Sequence, residues 1–135
     1  MPLVRVSLGA PKDAEYRQSV SQGIYEAMRE TLGIPEGDRF QVMSEHEGGT
    51  LVADPSFMGM KRSQDGFVLI QIFLSRGRST EVKQSLYRRI AQRLAANPGV
   101  RPDDVMVVLT EVGLDDWSFG RGEAQYVLNP PAWAK

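Results

Sequence analysis

The sequence predicts an α/β fold (α+β by some schemes): two tandem βαβ units forming one four-stranded, mainly parallel-paired sheet with two helices on one face. Three observations carry this expectation. A strand pattern at 3–8, a helical stripe from Tyr16 to Leu32 and a second strand pattern at 39–46 follow one another in the first third. The same order of strand, cap, helix, glycine stop and strand returns over 67–112. The two stretches align without a gap at an offset of 66 residues (Glu15 onto Glu81), placing Gln18 on Gln84, Ile24 on Ile90, Gly33 on Gly99, Asp38 on Asp104 and Val42 on Val108.

Each element has a local cause. Leu3-Val4-Arg5-Val6-Ser7-Leu8 alternates and is broken by Gly9-Ala10-Pro11, so a short strand ends in a turn. Asp13 caps a helix whose apolar positions Tyr16, Val20, Ile24, Met28 and Leu32 recur at helical spacing, and Gly33 ends it ahead of Pro35. Phe40, Val42 and Ser44 alternate with polar residues, the pattern of a strand buried on one side. Residues 47–66 contain Gly48-Gly49, Pro55 and Gly59 with no sustained period, which predicts a connection outside the core with a small hairpin around Thr50-Leu51-Val52. Phe67 to Leu74 is nearly continuous apolar sequence and reads as a strand buried on both faces. Ser79 caps the second helix, striped by Val82, Leu86, Ile90 and Leu94 and ending at Asn97-Pro98-Gly99; Val105 to Val112 is the last strand. The expected organisation is a single domain over 1–135, duplicated in 2–46 and 67–112, with 113–135 as a C-terminal segment.

Right-handed crossovers lay both helices on the same face of such a sheet and leave the other face bare. An apolar strand exposed there would be a sticky patch, so an obligate oligomer is expected; the alternative is that Trp117 to Trp133 folds back over that face.

Composition narrows the chemistry. In 135 residues, 16 Lys and Arg face 17 Asp and Glu, a net charge of −1, which offers no excess to condense on nucleic acid or an anionic membrane. No apolar run approaches the roughly 20 residues of a membrane span, and MPLVRVSLGA lacks a cationic start and a long apolar block, so a cytoplasmic protein is expected. With no Cys and one His, His46, neither a thiolate nucleophile nor a Cys- or His-rich metal site is available. His46, at a strand end, reads as structural.

Pro2 is the first residue with chemical interest. Methionine removal before a small residue would leave a prolyl secondary amine, which can exchange a proton near neutral pH or attack a carbonyl carbon. Arg76-Gly77-Arg78 follows the buried strand and precedes a helix, a placement that suits a small carboxylate; a solvated pair in a turn is the plain alternative. Asp38 stands two residues before a strand, open to a role as a catalytic carboxylate or as a turn residue paired with Arg39. Trp117-Ser118-Phe119-Gly120-Arg121-Gly122 can wall a site or cap the core.

Together Pro2, two βαβ units of this size, Asp38-Arg39, Ser75-Arg76-Gly77-Arg78-Ser79, Asp104-Val105 and Asp116-Trp117-Ser118-Phe119-Gly120-Arg121-Gly122 resemble the tautomerase superfamily and, within it, the malonate semialdehyde decarboxylase family. The resemblance runs from Pro2 to about Val127. It implies catalysis by Pro2 with Asp38, substrate binding by Arg76 and Arg78, and an apolar wall of Trp117, Phe119 and Tyr126, the last standing where the family has phenylalanine. It further implies no cofactor or metal, a homotrimer, and decarboxylation of a short 3-oxo acid. Keto–enol tautomerisation of 2-oxo acids, hydration or dehalogenation of unsaturated three-carbon acids, and a non-catalytic trimeric binding module are the alternatives. Asn129 to Trp133 has no aligned counterpart.

Overall fold

A computed structural model describes residues 2–134. The order is β1 (Leu3–Gly9), α1 (Ala14–Leu32), β2 (Phe40–His46), β3 (Val68–Ser75), α2 (Thr80–Ala96), β4 (Val105–Val112) and the short α3 (Gln125–Leu128). The four strands form one sheet in the order β2-β1-β3-β4. Each unit contributes a parallel pair, β1 with β2 and β3 with β4, and the units meet where β1 and β3 run antiparallel, Leu3 opposite Phe73. This is the expected pseudo-symmetric sheet.

The helix limits follow from cap chemistry. Asp13 accepts from the Tyr16 N–H at 2.7 Å and Gly33 closes α1 at φ 69°, a conformation that favours glycine. Ser79 accepts from the Val82 N–H at 3.2 Å to start α2. The helices lie side by side on one face. Gly23 allows the close approach, since a Cβ there would stand 3.0 Å from Leu94 Cδ2. Arg93 bonds Glu26 at 2.6 Å and also Glu30, which Arg89 reaches too. Val4, Val6 and Leu8 of β1 and Val68, Ile70, Ile72 and Leu74 of β3 pack beneath Val20, Ile24, Met28, Leu86, Ile90 and Leu94, all essentially inaccessible. Among the described residues no helix is long and apolar enough to cross a membrane.

Three expectations need correction. Phe40 and Val42 do not face the core but the open side of the sheet, where they are 51% and 49% exposed; the helix side of β2 carries Gln41, bonded to Ser21 at 2.6 Å, and Met43. Alternation gives the period of a strand without saying which side is covered. β3 is fully buried on one side only, because Leu69, Gln71 and Phe73 share that open face and are half-buried. The Thr50-Leu51-Val52 hairpin does not form. Gly48-Gly49 makes a turn in which Thr50 N–H donates to Glu47 at 3.1 Å, and the connection continues through a single 3₁₀ turn at Phe57–Gly59.

Candidate active site

The loop after β3 builds the cationic part of the site. Arg76 extends the ladder by one bond, its N–H donating to the Val112 carbonyl at 3.0 Å. Gly77 then takes φ 124°, where side chains are strained, and the reversal lets Arg78 Nη1 donate to the Ser75 carbonyl at 2.9 Å. Glu111 holds the loop from β4. It accepts from Lys83 Nζ at 2.7 Å and from the Gly77 backbone, and these donors keep its carboxyl below the usual range. Both arginines line one cavity of about 760 Å³.

The acid comes from the first unit. Gly37, at φ 87°, donates to the Tyr25 hydroxyl at 3.1 Å, and the next N–H, that of Asp38, donates to Pro35 at 3.2 Å. This turn brings Asp38 into the cavity of Arg76 and Arg78. Arg39 is drawn onto α1, donating to Gln22 and Ser21 at 2.8 Å each and lying 4.7 Å from the centre of the Tyr25 ring. Burial pushes the Asp38 carboxyl above its ordinary value, against nearby positive charge that includes Arg78. Burial also pulls Arg78 down, opposed by Tyr126, Glu111 and Asp38, and it raises Tyr126 with Asp38 adding to the effect. Three titratable groups half withdrawn from water around one space interact more strongly than they would at a surface.

Pro2 is buried immediately before β1. Because β1 pairs in parallel with β2 from Leu3 opposite Phe40, Pro2 and Asp38 come to the same end of the sheet. Met1, on whose removal the prolyl amine depends, lies outside the described residues.

The expected wall is divided. Tyr126 lines the cavity of Asp38, Arg76 and Arg78, whereas Trp117 and Phe119 line an adjoining hollow of about 410 Å³ with Leu3, Phe40, Phe73 and Val112, at one end of the open sheet face. The C-terminal segment therefore flanks only a corner of that face. A run of rings joins the two spaces: Trp117 stacks on Phe119 at 5.7 Å, Phe119 meets Tyr126 edge-on at 4.9 Å, and Tyr126 meets Trp133 edge-on at 6.0 Å. Gln125 stitches this loop by accepting from the Phe119 N–H and donating to the Gly120 carbonyl, each at 2.8 Å.

Three participants escaped the sequence reading. Ser75 is 1% exposed, its carbonyl holding Arg78 and its hydroxyl accepting from Trp117 Nε1 at 3.1 Å. Trp133 and Pro131 line the cavity together with Leu32, Ile34 and Pro35. The signal for Ser75 was its place beside Arg76; for Trp133 it was a large aromatic after Pro130-Pro131.

Two pseudo-symmetric βαβ units with an acid and two arginines gathered at one sheet end define a tautomerase-type architecture. Family profiles described as "Tautomerase enzyme" match residues 38–120 and 2–59. The chain is 36% identical over 127 residues to the probable tautomerase YusQ of Bacillus subtilis, covering 94% of this chain and 99% of that protein. Among solved structures it is similar to FG41 malonate semialdehyde decarboxylase, with a TM-score of 0.89 and 36% identity over 96% of this chain and 98% of that one. A fused 4-OT described as a symmetric trimer shares the fold, with a TM-score of 0.77 at 19% identity over 94% and 98% of the two chains. The chain belongs to the tautomerase family.

Proposed function

We propose that the protein is a cofactor-independent decarboxylase of a short 3-oxo acid, converting malonate semialdehyde to acetaldehyde and carbon dioxide. The observation that carries this reading is the meeting of Asp38, Arg76 and Arg78 in one cavity at the sheet end where Pro2 is buried. Arg76 and Arg78 hold the carboxylate so that its bond to carbon lies parallel to the carbonyl π orbitals. Breaking that bond leaves an electron pair on carbon, which needs a sink. With Met1 removed, Pro2 supplies it in one of two ways. Protonated Pro2 donates to the carbonyl oxygen, a state that a nearby Asp38 anion favours, and the product leaves as an enol that takes a proton on carbon. Alternatively, neutral Pro2 forms an iminium with loss of water; cleavage gives an enamine, and protonation and hydrolysis release acetaldehyde. Tyr126, with Phe119 and Trp117 packed in turn behind it, keeps water from the reacting end.

A second reading is keto–enol tautomerisation of a 2-oxo acid such as phenylpyruvate. It is favoured by the space itself. A cavity of about 760 Å³ falls within the roughly 300–1,000 Å³ of pockets that hold drug-sized ligands, and a three-carbon acid leaves most of it empty. In that case Pro2 acts as a neutral base.

The test is an N-terminal mass determination followed by ¹H NMR of the protein with malonate semialdehyde and with enol phenylpyruvate. Acetaldehyde formation abolished by Pro2→Ala supports the first reading and ketonisation alone the second. Inertness to both with Met1 absent overturns both and favours a binding module or another substrate.

The proposal includes a cytoplasmic homotrimer. Its support is the open sheet face, where Phe40, Val42, Met106 and Val108 are each at least two-fifths exposed, together with the trimeric relative that shares the fold. Val42→Asp is expected to lower the solution mass from trimer to monomer; a monomeric wild type would overturn it.

A further inference from the structure

The segment after α3 turns back onto the arginine pair. Pro131 accepts from the Ala134 N–H at 3.0 Å, closing a short 3₁₀ turn at Ala132–Ala134 that carries Trp133. The indole then meets two partners. Its ring lies 6.0 Å from the Arg78 guanidinium carbon and 6.0 Å, edge-on, from the Tyr126 ring. Trp133 is still 54% exposed, so it serves as an outer wall and not as a core residue.

The consequence for Arg78 is geometric. A guanidinium recognises a carboxylate through N–H groups in its own plane, whereas an aromatic ring engages its face. The Ser75 carbonyl takes one Nη1 hydrogen and the guanidinium carbon lies over the Trp133 ring, so two contacts limit the rotamers of Arg78 while its other N–H groups make no hydrogen bond among the described residues. The same indole, with Pro131, Leu32, Ile34 and Pro35, gives the cavity of the arginines an apolar lining.

We infer that Trp133 is a specificity-determining wall: it positions Arg78 for the carboxylate and makes the site prefer acids that carry an apolar, above all an aromatic, group over bare three-carbon acids. This rests on Arg76 and Arg78 being a carboxylate site; it favours the aromatic 2-oxo acid of the second reading over malonate semialdehyde. It also assigns a function to 129–133, the stretch without an aligned counterpart.

The test is equilibrium binding by calorimetry, with propionate and 3-phenylpropionate as unreactive probes of the whole chain. Wild type, Trp133→Ala, Trp133→Phe and Arg78→Ala are compared. Trp133→Ala is expected to weaken propionate about two- to fivefold, the size of an exposed cation–π contact. It is expected to weaken 3-phenylpropionate about tenfold or more, because buried apolar area goes as well. Trp133→Phe restores most of the second loss. The chain has two tryptophans, so in a ¹H–¹⁵N spectrum the indole resonance missing from Trp133→Phe is assigned to Trp133, and it should shift as 3-phenylpropionate is added. Equal losses for both probes, or none, or a stationary Trp133 resonance, overturn the inference. Binding unchanged in Arg78→Ala overturns the carboxylate site beneath it, a distinct result.

Discussion

The two βαβ units carry matching residues to opposite ends of the sheet and use them differently. One device is kept in both. Glu45 accepts from the Lys12 N–H at 2.6 Å and from Arg17 at 3.2 Å; at the corresponding positions Glu111 accepts from the Gly77 backbone and from Lys83 at 2.7 Å. Pro11 stands where Gly77 does and has no N–H, so the donor moves to the next residue. The aspartates diverge. Asp104 is 1% exposed and accepts from Ser63 N–H and Oγ at 2.7 Å each and from Arg101 at 3.4 Å. Segment 61–66 is thereby seated on it, with Lys12 Nζ donating to the Asp65 carbonyl at 3.0 Å. Asp38 instead faces the cavity. Where the second unit has Arg76-Gly77-Arg78 the first has Ala10-Pro11-Lys12, and where the first has Pro2 the second has Val68. The same βαβ scaffold stands at both ends; one end forms a pocket and the other a lock.

That contrast can be broken by experiment. Among the groups that bind the substrate, the largest effect is expected at the arginines. Arg78→Ala should lower kcat/KM about 10- to 100-fold through KM, the loss of a charge-assisted bond to the carboxylate, while the matched Lys12→Ala leaves it unchanged. Steady-state kinetics on the substrate found by NMR reads both. Asp104→Asn should destabilise the fold by about 1–3 kcal/mol, because a group accepting from three donors loses part of that capacity while buried, and thermal unfolding reports it. The finest effect lies in pH. Burial raises the Asp38 carboxyl, so an activity that needs its anion should fall away on acidification above the ordinary carboxylate range, and that limb should vanish from the pH–rate profile of Asp38→Asn. Stability moves the other way. A raised folded value means the fold holds this proton more tightly than the unfolded chain does. The contribution is therefore present below the unfolded value and lost as pH rises through the folded one.

Much of the fold is legible in the sequence because its causes are local. Asp13, Gly33 and Ser79 act within one turn of their helices, and the repeat fixes the order of strands without reference to distant contacts. What is hidden depends on where other elements lie. Phe40 and Val42 announce a strand, but their side is decided by the helices covering the opposite face. Arg76, Arg78 and Asp38 are visible as a motif and a turn, yet their meeting requires β1 to run antiparallel to β3. Ser75 looks like any strand-ending serine until Trp117, 42 residues later, donates to it. Trp133 has no pattern at all, since its role is set by the return of a segment over a loop more than fifty residues earlier.

The most direct test of the division between the halves is a matched pair, Asp38→Asn and Asp104→Asn, with the turnover rate measured per folded molecule on the substrate identified by NMR. The account predicts that Asp38→Asn loses about 10²- to 10⁴-fold in rate with its thermal midpoint unchanged or raised, while Asp104→Asn unfolds at lower temperature and turns over normally. A slow Asp104→Asn, or an Asp38→Asn that melts early and reacts at full speed, would contradict it.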